Sequence, residues 1–261
     1  MKINTFKEAS SSSLLPVILS WFVHLLTASS GVLALIGAQA ASEKNFRIVL
    51  YVLVFTIIID AIDGPLARLV GVRKHTPHFN GALLDYVVDF VTWVFLPAFC
   101  LIQSSFFTEE MRFILASFIV LSSGYQFCCE DLKANPNFFK RWPSAWSIVI
   151  ICLFTWPVHE KIFLAVILLF IVLSFVPIYF AHSLRVDVKF TGKESFDRFL
   201  AKLMIFSSIF FLLALLVSVY FYPEVTKAFF YFELTCVTCY GALTAIHNIV
   251  FYKDLYLSSN K

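Results

Sequence analysis

Apolar runs about twenty residues long recur along the whole chain, separated by short stretches that carry charges, proline or glycine. Runs of that length match the hydrocarbon core of a bilayer when they are helical. The pattern predicts helices over 21–42, 46–69, 81–104, 111–129, 144–157, 161–182, 199–222 and 226–252, about eight transmembrane helices with a short fifth. Ala38-Gln39-Ala40 imitates a signal-peptidase site, yet the run from Leu14 to Ala41 is about twice a signal core of roughly 7–15 residues. It therefore reads as a retained first helix, and residues 1–20 as an N-terminal segment with interfacial character. No connection is long enough to hold a soluble domain. Residues 1–261 thus read as a single membrane-embedded domain whose chemistry must use helices and short loops.

Composition sharpens this picture. The chain is 60% hydrophobic and 14% charged, with a mean hydropathy of +0.84. Soluble domains carry about 25% charged residues, so a soluble enzyme is excluded and an all-α polytopic membrane protein is expected. The net charge of +3 is too small to suggest a nucleic-acid partner. Its placement says more. With eight spans, fifteen of the twenty Lys and Arg fall on the side of the termini, leaving Lys44, Arg47, Arg112, Lys161 and Lys227 opposite. Short loops biased in this way put both termini in the cytoplasm. Cys236-x-x-Cys239 lies within an apolar run with no second pair, and reads as small helix residues rather than a zinc site.

Carboxylates inside membrane helices cost several kcal/mol unless they are paired, metal-bound or facing water. Four cluster here: Asp60 and Asp63 near the cytoplasmic end of the second helix, and Asp85 and Asp89 at the start of the third. Positions 60, 63, 64, 67 and 68 share one helical face, bearing two carboxylates, then Gly64 and Ala67, then Arg68. Gly81, Asp85 and Asp89 recur every fourth residue and share another. The short connection makes the two helices antiparallel neighbours, so all four aspartates converge at one depth. Four carboxylates so close cannot all stay ionised against one arginine. Hard oxygen donors in this number favour Mg²⁺ or Mn²⁺, and two ions sharing them would suit phosphoryl chemistry. A salt-bridge cluster holding two helices together would set one cation against four anions.

Asp60-x-x-Asp63-Gly64-x-x-Ala67-Arg68, twelve residues, then Gly81-x-x-x-Asp85-x-x-x-Asp89 resembles the signature of the CDP-alcohol phosphotransferases, with all eight fixed residues present. The gap Leu69 to Asn80 is longer than is usual in the family. Together with His24-Leu25-Leu26-Thr27-Ala28-Ser29-Ser30-Gly31 and the span count, it resembles the bacterial branch that condenses CDP-diacylglycerol with free choline. The resemblance implies that Asp60, Asp63 and Asp85 bind two metal ions holding the diphosphate. Asp89 would ligate one ion and act as general base on the choline hydroxyl, with CMP expelled. It further implies that Gly64 and Ala67 pack against cytidine, Gly81 gives the nucleotide room, Arg68 lies near the diphosphate and Thr27 approaches the nucleotide. A site at the cytoplasmic face of the bacterial inner membrane, open sideways to membrane lipid, and a homodimer also follow from it.

A choline pocket needs aromatic faces and an acid for the quaternary ammonium. Tyr86, Tyr125, Trp142 and Trp146 lie at the right level, with Glu130 and Asp131 nearby, and the sequence does not choose among them. The rival readings are another acceptor alcohol (serine, inositol or glycerol 3-phosphate) and, from a different class, a divalent-cation transporter. A transporter would set its ion near the bilayer midplane on broken helices, whereas these carboxylates lie at one face of the membrane.

Overall fold

The computed structural model describes residues 14–129, 138–181, 194–225 and 227–259. Within them the chain runs α1 (Leu14–Ser42), α2 (Phe46–Val70), α3 (Val72–His75), α4 (Gly81–Asp89), a π-helical stretch (Phe90–Phe95), α5 (Leu96–Gln103) and α6 (Glu109–Phe127). There follow β1 (Phe138–Lys140), α7 (Trp146–Thr155), α8 (Glu160–Leu173), β2 (Tyr179–Ala181), α9 (Glu194–Phe221) and α10 (Lys227–Ser259). Among the described residues, four helical segments are long and apolar enough to cross a membrane: Leu14–Ser42, Gly81–Gln103, Ser195–Phe221 and Lys227–Ile246. α2 and α6 span 25 and 19 residues but carry charged residues at or near their ends. The protein is a membrane-embedded, predominantly helical bundle.

α1 turns its polar and small residues inward. Ser20, His24, Thr27, Ser30, Ala34, Gly37 and Ala41 are buried, while Leu25, Val32 and Leu35 on the other face are exposed. Lipid is as apolar as leucine, so helices in it associate through close packing and hydrogen bonds, which small residues allow. Gly37 makes the approach tight: a Cβ there would lie 2.9 Å from Val52 Cγ1 of α2 and 3.1 Å from Leu96 Cδ2 of α5. The apolar core gathers Leu50, Leu53, Leu96, Leu101, Ile119, Trp146, Ile150, Ile167 and Leu215 from six helices. α9 and α10 pack as a pair. They are tied to α7 through Glu233, which accepts hydrogen bonds from Ser218 Oγ and from Trp156 Nε1 just past the end of α7.

Several boundaries differ from the sequence expectation. α1 is already helical at Leu14, so 14–20 belong to it rather than to an N-terminal segment, of which residues 1–13 lie outside the described residues. The predicted helix 161–182 stops at Leu173. Pro177 cannot continue it, and Tyr179–Ala181 instead pairs with Phe138–Lys140 in a two-stranded antiparallel sheet that an all-α reading lacks. α7 has 10 residues and α8 has 14, each shorter than the roughly 20 that cross a bilayer. The third predicted helix is continuous over 81–103 but widens to π geometry at Phe90–Phe95. Pro97 has no N–H to give the Trp93 carbonyl, and Leu96 N–H reaches back to Val91 O instead. Ser147 Oγ of α7 donates to the Thr92 carbonyl within that stretch, at 2.7 Å.

Candidate active site

The site lies where the C-terminal end of α2 meets the N-terminal end of α4, both against α1. Gly71 ends α2 in the left-handed region, φ 71°, with its N–H on the Ala67 carbonyl at 3.1 Å. That conformation suits glycine and turns the chain into the short helix α3. Asn80 then starts α4, its side chain accepting from Leu83 N–H at 3.1 Å.

Asp60 of α2 and Asp85 and Asp89 of α4 converge: one carboxylate oxygen from each lies within 4.8 Å of the others, and all three are half-buried. Oxygens around one Mg²⁺-sized ion stand roughly 3–4 Å apart, so small side-chain rotations bring these three onto a divalent cation. Asp63 stands apart from that trio. It is buried, and its Oδ2 accepts from Thr27 Oγ1 of α1 at 2.7 Å. Four carboxylates thus line α2 and α4, three converging and the fourth held by a hydroxyl.

Gly64 and Gly81 differ. A Cβ on Gly64 would meet only Arg68 Nη1, at 3.5 Å, so this face of α2 has room for a ligand beside an exposed guanidinium. A Cβ on Gly81 would fall 2.5 Å from His24 Cε1, so that place is filled by an imidazole. Ala67 is half-buried on the same face as Gly64. Thr27 is buried, and its hydroxyl is directed to Asp63.

The aromatic candidates fall into separate contacts. Tyr86, beside Asp85 on α4, meets Phe127 edge-on at 5.9 Å. Tyr125 is 46% exposed, with Arg141 Cζ 5.7 Å from its ring centre. Trp142 stacks flat on Phe170 at 3.8 Å. Trp146 requires a correction: it is fully buried, donates from Nε1 to Ser123 Oγ at 2.8 Å and offers a ligand no open face. Its place in the core follows from the start of α7 packing into the bundle, which spacing alone does not reveal. Glu130 and Asp131 lie outside the described residues.

The sequence gives His24 no role beyond its place in the His24–Gly31 segment, although its three-residue spacing from Thr27 already puts both on one face of α1. His24 Nε2 lies 3.0 Å from Thr76 Oγ1, and its ring lies 4.4 Å from that of Phe79. Both partners belong to the 69–80 connection, so their meeting with α1 needed the fold.

Comparison with known proteins finds both a family and relatives. A family described as CDP-alcohol phosphatidyltransferase matches residues 13–178. The phosphatidylcholine synthase of Mesorhizobium japonicum is 40% identical over 164 residues, covering 63% of this chain and 61% of that protein. That of Agrobacterium fabrum is 37% identical over 186 residues, 71% of this chain and 76% of that protein. That of Pseudomonas aeruginosa is 32% identical over 167 residues, 64% and 70% respectively.

Proposed function

The chain belongs to the CDP-alcohol phosphatidyltransferase family, and we propose that it transfers the phosphatidyl group of CDP-diacylglycerol to choline, releasing CMP. It is a transferase of phosphate-containing groups. The convergence of Asp60, Asp85 and Asp89 carries the reaction class. The choice of choline rests on relatives named phosphatidylcholine synthase.

In this reading Asp60, Asp63, Asp85 and Asp89 hold two divalent ions, Mn²⁺ or Mg²⁺. When bound, the metal supplies Lewis acidity that neutralises the diphosphate and the departing CMP. Asp89 takes the proton from the choline hydroxyl as that oxygen bonds to the phosphorus bearing diacylglycerol. The phosphorus–oxygen bond to CMP breaks, and CMP leaves with the electron pair. Gly64 and Ala67 offer cytidine a face without large side chains, and Arg68 meets the diphosphate. Thr27 fixes the orientation of Asp63 rather than reaching the nucleotide itself. Tyr86, Tyr125 and Trp142 are the candidate ring faces for the quaternary ammonium and Glu130 the candidate acid, each to be tested singly by its effect on the choline KM.

The same reading makes the whole chain one catalytic domain of about eight membrane helices in a bacterial inner membrane. Both termini and the active site face the cytoplasm, and the protein works as a homodimer. Single-cysteine labelling from each side of a sealed vesicle tests the orientation, and cross-linking the assembly. The decisive experiment for the reaction supplies purified protein with CDP-diacylglycerol, Mn²⁺ and a panel of labelled alcohols. Choline entering lipid above ethanolamine, with serine and inositol barely used, is the expected result. A preference for serine or inositol would leave the family intact and remove choline.

A further inference from the structure

α1 touches both halves of the site from one face. Thr27 takes Asp63 of α2, and three residues earlier the buried His24 takes the connection that leads into α4. Thr76 Oγ1 has a single proton and lies 3.0 Å from the Val72 carbonyl as well as 3.0 Å from His24 Nε2. That proton serves either the carbonyl or His24 Nε2, and with it on the carbonyl the imidazole donates to Thr76 from Nε2. The rest of the ring is turned toward the start of α4, where a Cβ on Gly81 would lie 2.5 Å from Cε1 and 3.0 Å from Nδ1. The rings of Phe79, at 4.4 Å, and Trp21, at 5.6 Å, pack against the same imidazole. Gly81 opens α4 four residues before Asp85, so whatever seats Gly81 sets where Asp85 and Asp89 stand relative to Asp60.

We propose that His24 is a positioning residue: its imidazole, anchored on Thr76, seats the first turn of α4 against α1, and Gly81 must be glycine because His24 fills the space a side chain would need. This demand differs from room for a nucleotide, the role the family resemblance implies for Gly81. The two explanations separate in a double variant. The inference rests on the phosphatidyltransferase reading for its activity measurement and stands apart from it in a binding measurement.

Purified wild type and variants are titrated with Mn²⁺ alone, followed by electron paramagnetic resonance, then assayed for kcat and KM and melted thermally. Gly81→Ala should weaken Mn²⁺ binding and lower kcat about 100-fold, the usual cost of misplacing reacting groups by an ångström. His24→Ala should cost about tenfold, as expected for a lost buried hydrogen bond. His24→Gln, which keeps an N–H donor for Thr76, should recover most of that loss at an unchanged melting temperature. The double variant His24→Ala/Gly81→Ala should return to the level of His24→Ala alone, about tenfold above Gly81→Ala. A double variant as weak as Gly81→Ala, or weaker, in Mn²⁺ binding and kcat overturns the proposal. So does a His24→Gln variant no better than His24→Ala. A wild type that binds no Mn²⁺ at all would instead overturn the metal reading of the aspartates.

Discussion

Thr27 and Asp63 meet across two helices at a distance that water does not share. A hydroxyl donating to a buried carboxylate contributes about 1.5–3 kcal/mol, and it also decides which way the carboxylate points. Thr27→Val keeps the shape and removes the donor. The Mn²⁺ concentration for half-maximal activity should rise about tenfold, with kcat at saturating metal changed far less; an unshifted metal requirement would mean that Asp63 needs no such orientation. Asp89→Asn asks a different question of the same site. An amide cannot accept the choline proton, so turnover should fall about 10²–10⁴-fold. CDP-diacylglycerol binding in the presence of metal should survive, as equilibrium binding to detergent-solubilised protein can measure. Near-normal turnover would move the base elsewhere.

Helix packing explains what the sequence could and could not tell. The convergence of Asp60, Asp85 and Asp89 is legible because helical period and a short connection fix it without knowledge of anything else. The partners of Thr27 and His24 are not, since they depend on how far α1 slides along α2 and α4. The apolar stretch ending in Tyr179–Ala181 reads equally as helix or strand, with Pro177 as the one local signal. Trp146 sits at a depth where either pocket or core would accept it. The sliding of α1 is set in part at Gly37. A Cβ there would press on Val52 at 2.9 Å and on Leu96 at 3.1 Å. Gly37→Ala should destabilise by about 1–3 kcal/mol, the usual cost of overpacking, and lower the melting temperature. Val52→Ala in the same background should restore part of it.

For the molecule as a whole, the site belongs to one end of a bundle whose remaining helices hold α1, α2 and α4 in register. Its activity should depend on a divalent ion throughout. Chelation with EDTA should abolish transfer, and Mn²⁺ or Mg²⁺ should restore it; full turnover in chelator would remove the metal from the mechanism. The bundle should survive that treatment with its helical circular dichroism intact, because its core of Leu50, Leu53, Ile119 and Ile150 is apolar and lies on helices packed independently of any ion.

The sheet of two short strands has a consequence of another kind. Asn248 of α10 accepts from Tyr179 N–H at 2.8 Å and donates to the Tyr179 carbonyl at 2.6 Å, so a side-chain amide takes the place of a third strand. An uncapped strand edge is a template on which a foreign chain can pair. Asn248 therefore acts as a stopper against assembly between copies at that edge. Asn248→Leu, which keeps comparable bulk and loses the amide, should leave freshly purified protein active but prone to associate on storage. Light scattering over days would register this, and a variant as monodisperse as the wild type would show that the edge needs no stopper.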